Sequence, residues 1–264
     1  MGCQGLANNR GAQVIQSSAI ARFCLRPSLK VTLKNVTMPD QPLHRTRIWD
    51  LPTRLFHAGL LLAVAGLVST GLLGGSAMVW HFRCGQAVMA LLMFRVLWGF
   101  WGGRWSRFSA MWFSPWVLWT YLKAQGGLQL RTGHSPMGSL SVLAFLVVLS
   151  AQVATGLVSD DEIATMGPLS HLVSNAVVAA ATAFHTQWGK LMILGLVVLH
   201  LGAVAWHSFK GHKLVGAMVH GDKTLPEPMP ASRDDARSRL AAAILLGLCG
   251  AASAWVFSLA PAGV

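Results

Sequence analysis

Ten histidines are the residues of this chain best equipped for chemistry, and four of them stand where an imidazole is costly: His57, His81, His185 and His200. Each lies within or at the edge of a long apolar stretch. An ionisable side chain in such a stretch is expensive to hold there and by default marks function. One buried histidine is as readily a hydrogen-bonding link between helices; four, on three stretches, shift the balance towards a shared task. Imidazole nitrogen is a standard haem ligand. His185 and His200 are 15 residues apart, which is about 22 Å along a helix and about four turns plus 60°, so both face a similar side at different depths.

The elements that must carry these residues follow from composition. Of 264 residues, 53% are hydrophobic and 11% charged, against about 25% charged in a soluble domain. Five apolar stretches, at about 55–73, 84–101, 138–157, 186–206 and 240–259, reach the roughly 20 residues a membrane-spanning helix needs. The expected fold is an all-α integral membrane bundle, since open strands cannot satisfy their backbone groups in lipid. Nineteen of the 21 Lys and Arg residues fall in 1–54, in the end of the second stretch with the loop after it, and in the loop before the fifth. Only Arg83 and Lys190 remain for the other side, where Asp160, Asp161 and Glu162 lie. The positive-inside rule then predicts a cytoplasmic N-terminus and a periplasmic C-terminus. This spread over alternate loops also explains the net charge of +12 without nucleic acid as a partner.

Depth sorts the four histidines. His57 sits a turn into the first span, near the inner surface and level with His200. His81 opens the second near the outer surface, level with His185. Two histidine pairs at two depths suit two stacked haems. Gly85 and Gly189 follow His81 and His185 by one turn; glycine there lets a flat macrocycle approach the backbone, or is ordinary small-residue helix packing. Arg95 in the second span and Arg54 before His57 are candidate partners for haem propionates; snorkelling to the interface is the alternative for Arg95. His134 at the inner edge has several readings: a substitute ligand, a propionate contact, a proton shuttle for quinone, or a solvated loop residue. His44, His171, His207, His212 and His220 read as interfacial or exposed. The four cysteines form no CxxC or CxxCH, which excludes covalent c-type haem and argues against disulfides.

Three regions are expected: a cytoplasmic tail without fixed structure over 1–44, with Met38 as an alternative start; a di-haem membrane domain over 45–226; and a linker with a fifth spanning helix over 227–264. The aromatic segment 109–125, with Trp112, Phe113, Trp116, Trp119 and Tyr121, reads as an interfacial helix in contact with lipid headgroups. The apolar stretch Leu172 to Phe184 reads as a short helix covering the outer end of the bundle.

At these residues the sequence resembles the bacterial cytochrome b561 and nickel-iron hydrogenase cytochrome b family. The strings that carry the resemblance are Arg47-Ile-Trp-Asp-Leu-Pro-Thr-Arg-Leu-Phe-His57, His81-Phe-Arg-Cys-Gly85, Gly133-His-Ser-Pro-Met-Gly138, the fourth span with its two histidines, and Gly221-Asp-Lys-Thr-Leu-Pro226. The resemblance covers about 45–226. It implies a four-helix core with two b haems, ligated by His57, His81, His185 and His200. It also implies electron exchange between a quinone pool and a periplasmic cytochrome c or dehydrogenase subunit, in the bacterial inner membrane. The competing reading is a histidine-rich transporter or metal-handling protein without haem. Against it, no Asp or Glu lies in a span, and no inverted repeat is evident.

Overall fold

The computed structural model of the protein describes residues 43–111, 114, 116, 119, 120, 123, 133–161, 165–211 and 213–260. Almost all of the expected tail, together with Trp112, Phe113, Tyr121, Glu162 and His212, lies outside them. In chain order the elements are β1 (His44–Arg47), α1 (Leu51–Leu73), α2 (Met78–Trp101), α3 (Pro136–Val158), α4 (Asn175–Phe209), α5 (Leu214–His220), β2 (Asp222–Leu225) and α6 (Ala236–Phe257). Five of these, α1, α2, α3, α4 and α6, are long and apolar enough to cross a membrane. The chain is an all-α, multi-pass membrane bundle.

Helix starts are written into the sequence. Asp50 caps α1 by accepting from Thr53 N at 2.9 Å, with Pro52 in the first turn. Ser135 caps α3 by accepting from Gly138 N at 3.0 Å, and Asp235 caps α6 by accepting from Ser238 N at 2.9 Å. Each such cap is worth about 1 kcal/mol. The reversal from α1 to α2 needs two consecutive positive φ angles, at Gly74 (64°) and Gly75 (55°), which only glycine adopts without strain.

The two strands depart from the all-helical expectation. They pair antiparallel, from His44 opposite Leu225 to Arg47 opposite Asp222. They lie outside the spans, where water can satisfy their free edges, so the rule against strands in lipid does not reach them. Ion pairs fasten the ribbon: Asp222 meets Arg45 at 2.7 Å and Arg47 at 2.5 Å, and Arg47 also meets Asp234 at 2.7 Å. Burial alone would raise the Asp222 pKa; hydrogen bonds and charge from both arginines outweigh it and hold the carboxyl below its ordinary value. The ribbon marks the basic end of the bundle; the opposite end is the far end.

In the aromatic segment, whose expected helix starts at the Ser114-Pro115 cap, Phe108–Ala110 form a separate 3-10 turn and Trp116, Trp119, Thr120 and Lys123 are helical. Beyond it Trp116 and Trp119 are exposed, Thr120 Oγ1 donates to Trp116 O at 3.0 Å, and the Lys123 ammonium stands 4.7 Å over the Trp119 ring.

The fourth span also differs from expectation. The stretch before His185 is not a separate covering helix. It continues through a π-helical turn at Phe184–Gly189 into one helix of 35 residues. That is about 52 Å long, well beyond the roughly 30 Å of hydrocarbon. No proline or glycine interrupts residues 175–188, and the wider turn keeps the backbone bonded through the join.

The spans pack in sequence. α1 lies on α2, α2 on α3, and α3 on α4, while α6 lies on α2 and α1. Opposed residues give the α1–α2 register: Phe56 with Phe94, Gly59 with Leu91, and Gly66 with Cys84. α1 and α4 have no comparable backbone packing; they face one another across a gap. Midway along the bundle, Val88, Leu92, Leu149 and Ile193 form a buried apolar layer.

Candidate cofactor site

Two pairs of histidine rings link α4 to the first two spans. Near the basic end, His57 of α1 faces His200 of α4 with ring centroids 6.4 Å apart. Near the far end, His81 of α2 faces His185 of α4 at 6.1 Å. A metal–imidazole bond of about 2 Å and a ring radius of roughly 1.2 Å would put two imidazoles on one iron about 6.4 Å apart between centroids. Both pairs fit that spacing. Two imidazoles suffice only for a metal that brings its own equatorial donors, as haem iron does. Among the described residues no group of three or more His, Cys, Asp or Glu could hold a bare ion.

The far-end rings are fixed by hydrogen bonds. His81 Nδ1 lies 3.1 Å from Leu67 O and 3.2 Å from Thr70 Oγ1. His185 Nδ1 lies 2.9 Å from Gln152 O, and Gln152 Nε2 donates to His185 O at 2.8 Å. With Nδ1 turned to a carbonyl, Nε2 is the nitrogen left to bind metal, a common way of orienting a ligand histidine. Two glycines make room for the rings. A Cβ at Gly71 would stand 3.3 Å from His81 Cε1, and one at Gly156 would stand 2.7 Å from His185 Cε1. A cavity of about 270 Å³ surrounds this pair, lined by Val64, Gly85, Gln152 and Phe257 among others, with Asp160 and Lys190 on its border.

The basic-end pair is held differently. Phe145 sets its ring edge-on to His200 at 5.7 Å. No hydrogen bond to the ring of His57 or His200 is present among the described residues.

The model of one protein family, prokaryotic cytochrome b561, matches residues 48–221. The chain belongs to that family. It is therefore a membrane b-type cytochrome of electron transfer, and the family implies that it binds haem b. No curated protein and no solved structure matches the chain.

The remaining candidate residues of this cytochrome fall into two groups. Gly85 borders the cavity, and a Cβ there would meet nothing closer than Leu67 and Phe257, both at 4.0 Å. Gly189 departs from its expected role. Its face is taken by the Gln152 side chain and by Phe184, so it serves the α3–α4 contact instead of facing the cavity. Arg54 donates from Nη2 to Val219 O, and its Nε is buried without a hydrogen-bond partner.

Arg95 is 4% exposed. It does not snorkel; it lies under the Phe108 ring at 5.1 Å and feels the charge of Asp50. The α1–α2 register sets it nearly level with His57. His134 packs edge-on against Trp49 at 4.6 Å. Burial, aided by the Arg95 charge, pushes its pKa down to about 4, so the ring is neutral at pH 7. The ring is partly exposed by area, yet its Nδ1, like Arg95 Nη1, is sealed from solvent with no hydrogen-bond partner. Two such orphaned atoms, on groups close enough to feel one another's charge, ask for a polar occupant. Of the other histidines, His171 and His220 are exposed, and His44 and His207 are partly buried.

Sequence reading missed Asp50, Thr70, Gly71, Gln152 and Gly156. Asp50 is fully buried. It accepts from Gly103 N at 2.8 Å, Ser106 Oγ at 3.2 Å and Trp98 Nε1 at 3.3 Å, tying α1 to the end of α2. Its capping position before Leu51-Pro52 was a usable signal. Gly71 and Gly156 carried none, because their purpose appears only when a ring from another helix arrives.

Proposed function

We propose that the chain is a di-haem cytochrome of the bacterial inner membrane that passes electrons between a quinone pool and a periplasmic redox partner in respiration. The observation that carries this reading is the pair of 6.1 Å and 6.4 Å histidine separations at two depths. His57 and His200 would ligate an inner haem, and His81 and His185 an outer one. Bound haem supplies one-electron exchange at iron. The protein would supply imidazole nitrogens from the two histidine pairs, a low-dielectric surround and the apolar layer at Val88 and Leu149 between the two sites.

Arg95 and His134 are assigned to the inner site. The arginine offers a buried positive charge to a haem propionate. The neutral imidazole offers a proton acceptor to a quinol at the same edge. Orientation follows from charge: the basic end faces the cytoplasm and the far end, with Asp160 and Asp161, faces the periplasm. The redox partner, a cytochrome c or a dehydrogenase subunit, would dock at the periplasmic end.

Pyridine haemochrome assay of the purified chain should give two extractable b haems per protein. A ratio near one would remove one pair from ligand duty. A periplasm-dependent reporter fused to the C-terminus should be active; activity of a cytoplasm-dependent reporter at that site would reverse the orientation.

A further inference from the structure

We propose that the fifth spanning helix, α6, is a wall of the outer haem pocket, and that Phe257 is the side chain closing it. The inference rests on the di-haem reading and goes beyond it, because α6 lies wholly outside residues 48–221 that match the family. A helix added after such a core could be a simple anchor. Its contacts are those of a pocket wall.

α6 is seated along its length on one face. Ala242 and Cys249 are buried with Phe56, Phe94 and Trp98 of α1 and α2. One turn further on, Ser253 is fully buried and its Oγ donates to Gln86 O at 2.8 Å. Gln86 is the residue after Gly85, so this bond fixes α6 to α2 at the level of the cavity. Phe257 follows Ser253 by four residues and shares its face. Its Cζ stands 4.0 Å from where a Gly85 Cβ would be, and its ring lines the same cavity as His81 and His185. Ala254 and Trp255 between them are exposed and turn outward. Without the Phe257 ring, the Gly85 side of the cavity would open at the membrane surface.

The consequence is electronic as well as steric. The apolar shell around a metal site controls solvent access and hence potential. Removing the ring admits water, which favours the more highly charged ferric form. Phe257→Ala in the full-length, haem-loaded chain should therefore shift the reduction equilibrium of the outer haem about tenfold towards ferric. That is about 59 mV lower for one electron. The inner haem should not move. The outer haem is identified as the wave missing from His81→Ala.

Phe257→Leu should restore most of the shift, and Ser253→Ala should give a smaller shift of the same sign. Selective loss of the outer haem in Phe257→Ala would also support the wall. If Phe257→Ala does not fold, Ser253→Ala gives the answer. Two haems with both potentials unchanged in the folded variants, or both shifted equally, would overturn it. A wild-type chain with no outer haem would overturn the di-haem reading first, and that is seen before any variant is made.

Discussion

At the far end of the bundle, His81 and His185 each have Nδ1 against a backbone carbonyl. At the basic end, among the described residues, His57 and His200 have no hydrogen bond to their rings, and the edge of Phe145 packs against His200. Two polar groups of the same end, Arg95 and His134, each keep a buried nitrogen without a hydrogen-bond partner. The contrast separates two ways of building a ligand pair. One is preorganised by the protein, with ring orientation set before the metal arrives. The other leaves orientation to packing and to whatever fills the gap, and places spare charge and hydrogen-bonding capacity at its edge. A stiff site suits fast exchange with a partner at one surface. A site with unused polar groups suits a pocket that also handles a proton.

The sharpest way to break the contrast is to disturb ring placement at the stiff end. Gly156→Ala puts a methyl 2.7 Å from His185 Cε1, closer than carbon atoms tolerate, and moving the ring away would break the Nδ1 contact with Gln152 O. The outer haem should be lost while the inner one stays, read as a fall in haem ratio from two to one. Gly85→Ala should do less. Its methyl meets protein only at 4.0 Å, so the fold should hold and outer haem affinity should fall several-fold from crowding in the cavity. Equal loss of both haems in either variant would mean general unfolding and would erase the distinction.

The smaller effect belongs to the basic end. His134 has a pKa of about 4 in the folded chain against an ordinary value of about 6.5. Between those values the unfolded chain binds more protons, so stability is lost as pH falls from about 6.5 to about 4 and is full above that window. His134→Gln should flatten this slope by at most about 1.4 kcal/mol per pH unit. Thermal inactivation of the haem-loaded protein at several pH values would show it. An unchanged slope would mean that the imidazole is solvated in both states.

The spans were legible because apolar length and the placement of Lys and Arg are properties of the sequence itself. So was the depth of each histidine, once antiparallel spans were assumed. What could not be read were features made by one helix for another. Gly71 and Gly156 look like any helical glycine until a ring meets them. The π-turn at His185 shifts the phase that regular helical spacing assumes, and it joins two stretches that composition alone had divided. Gly189 looked like Gly85, since both follow a histidine by one turn, yet Gln152 from α3 covers one and leaves the other open. The ribbon of β1 and β2 joins segments about 180 residues apart, too far for local pattern to reveal.

The central claim is that each haem belongs to a depth-matched pair, and potentiometric titration of four single variants tests it directly. His81→Ala and His185→Ala should each remove the same wave, and His57→Ala and His200→Ala should each remove the other. If His57→Ala kept both waves while His134→Ala lost one, the inner ligand would be His134 and the pairing of His57 with His200 would be wrong.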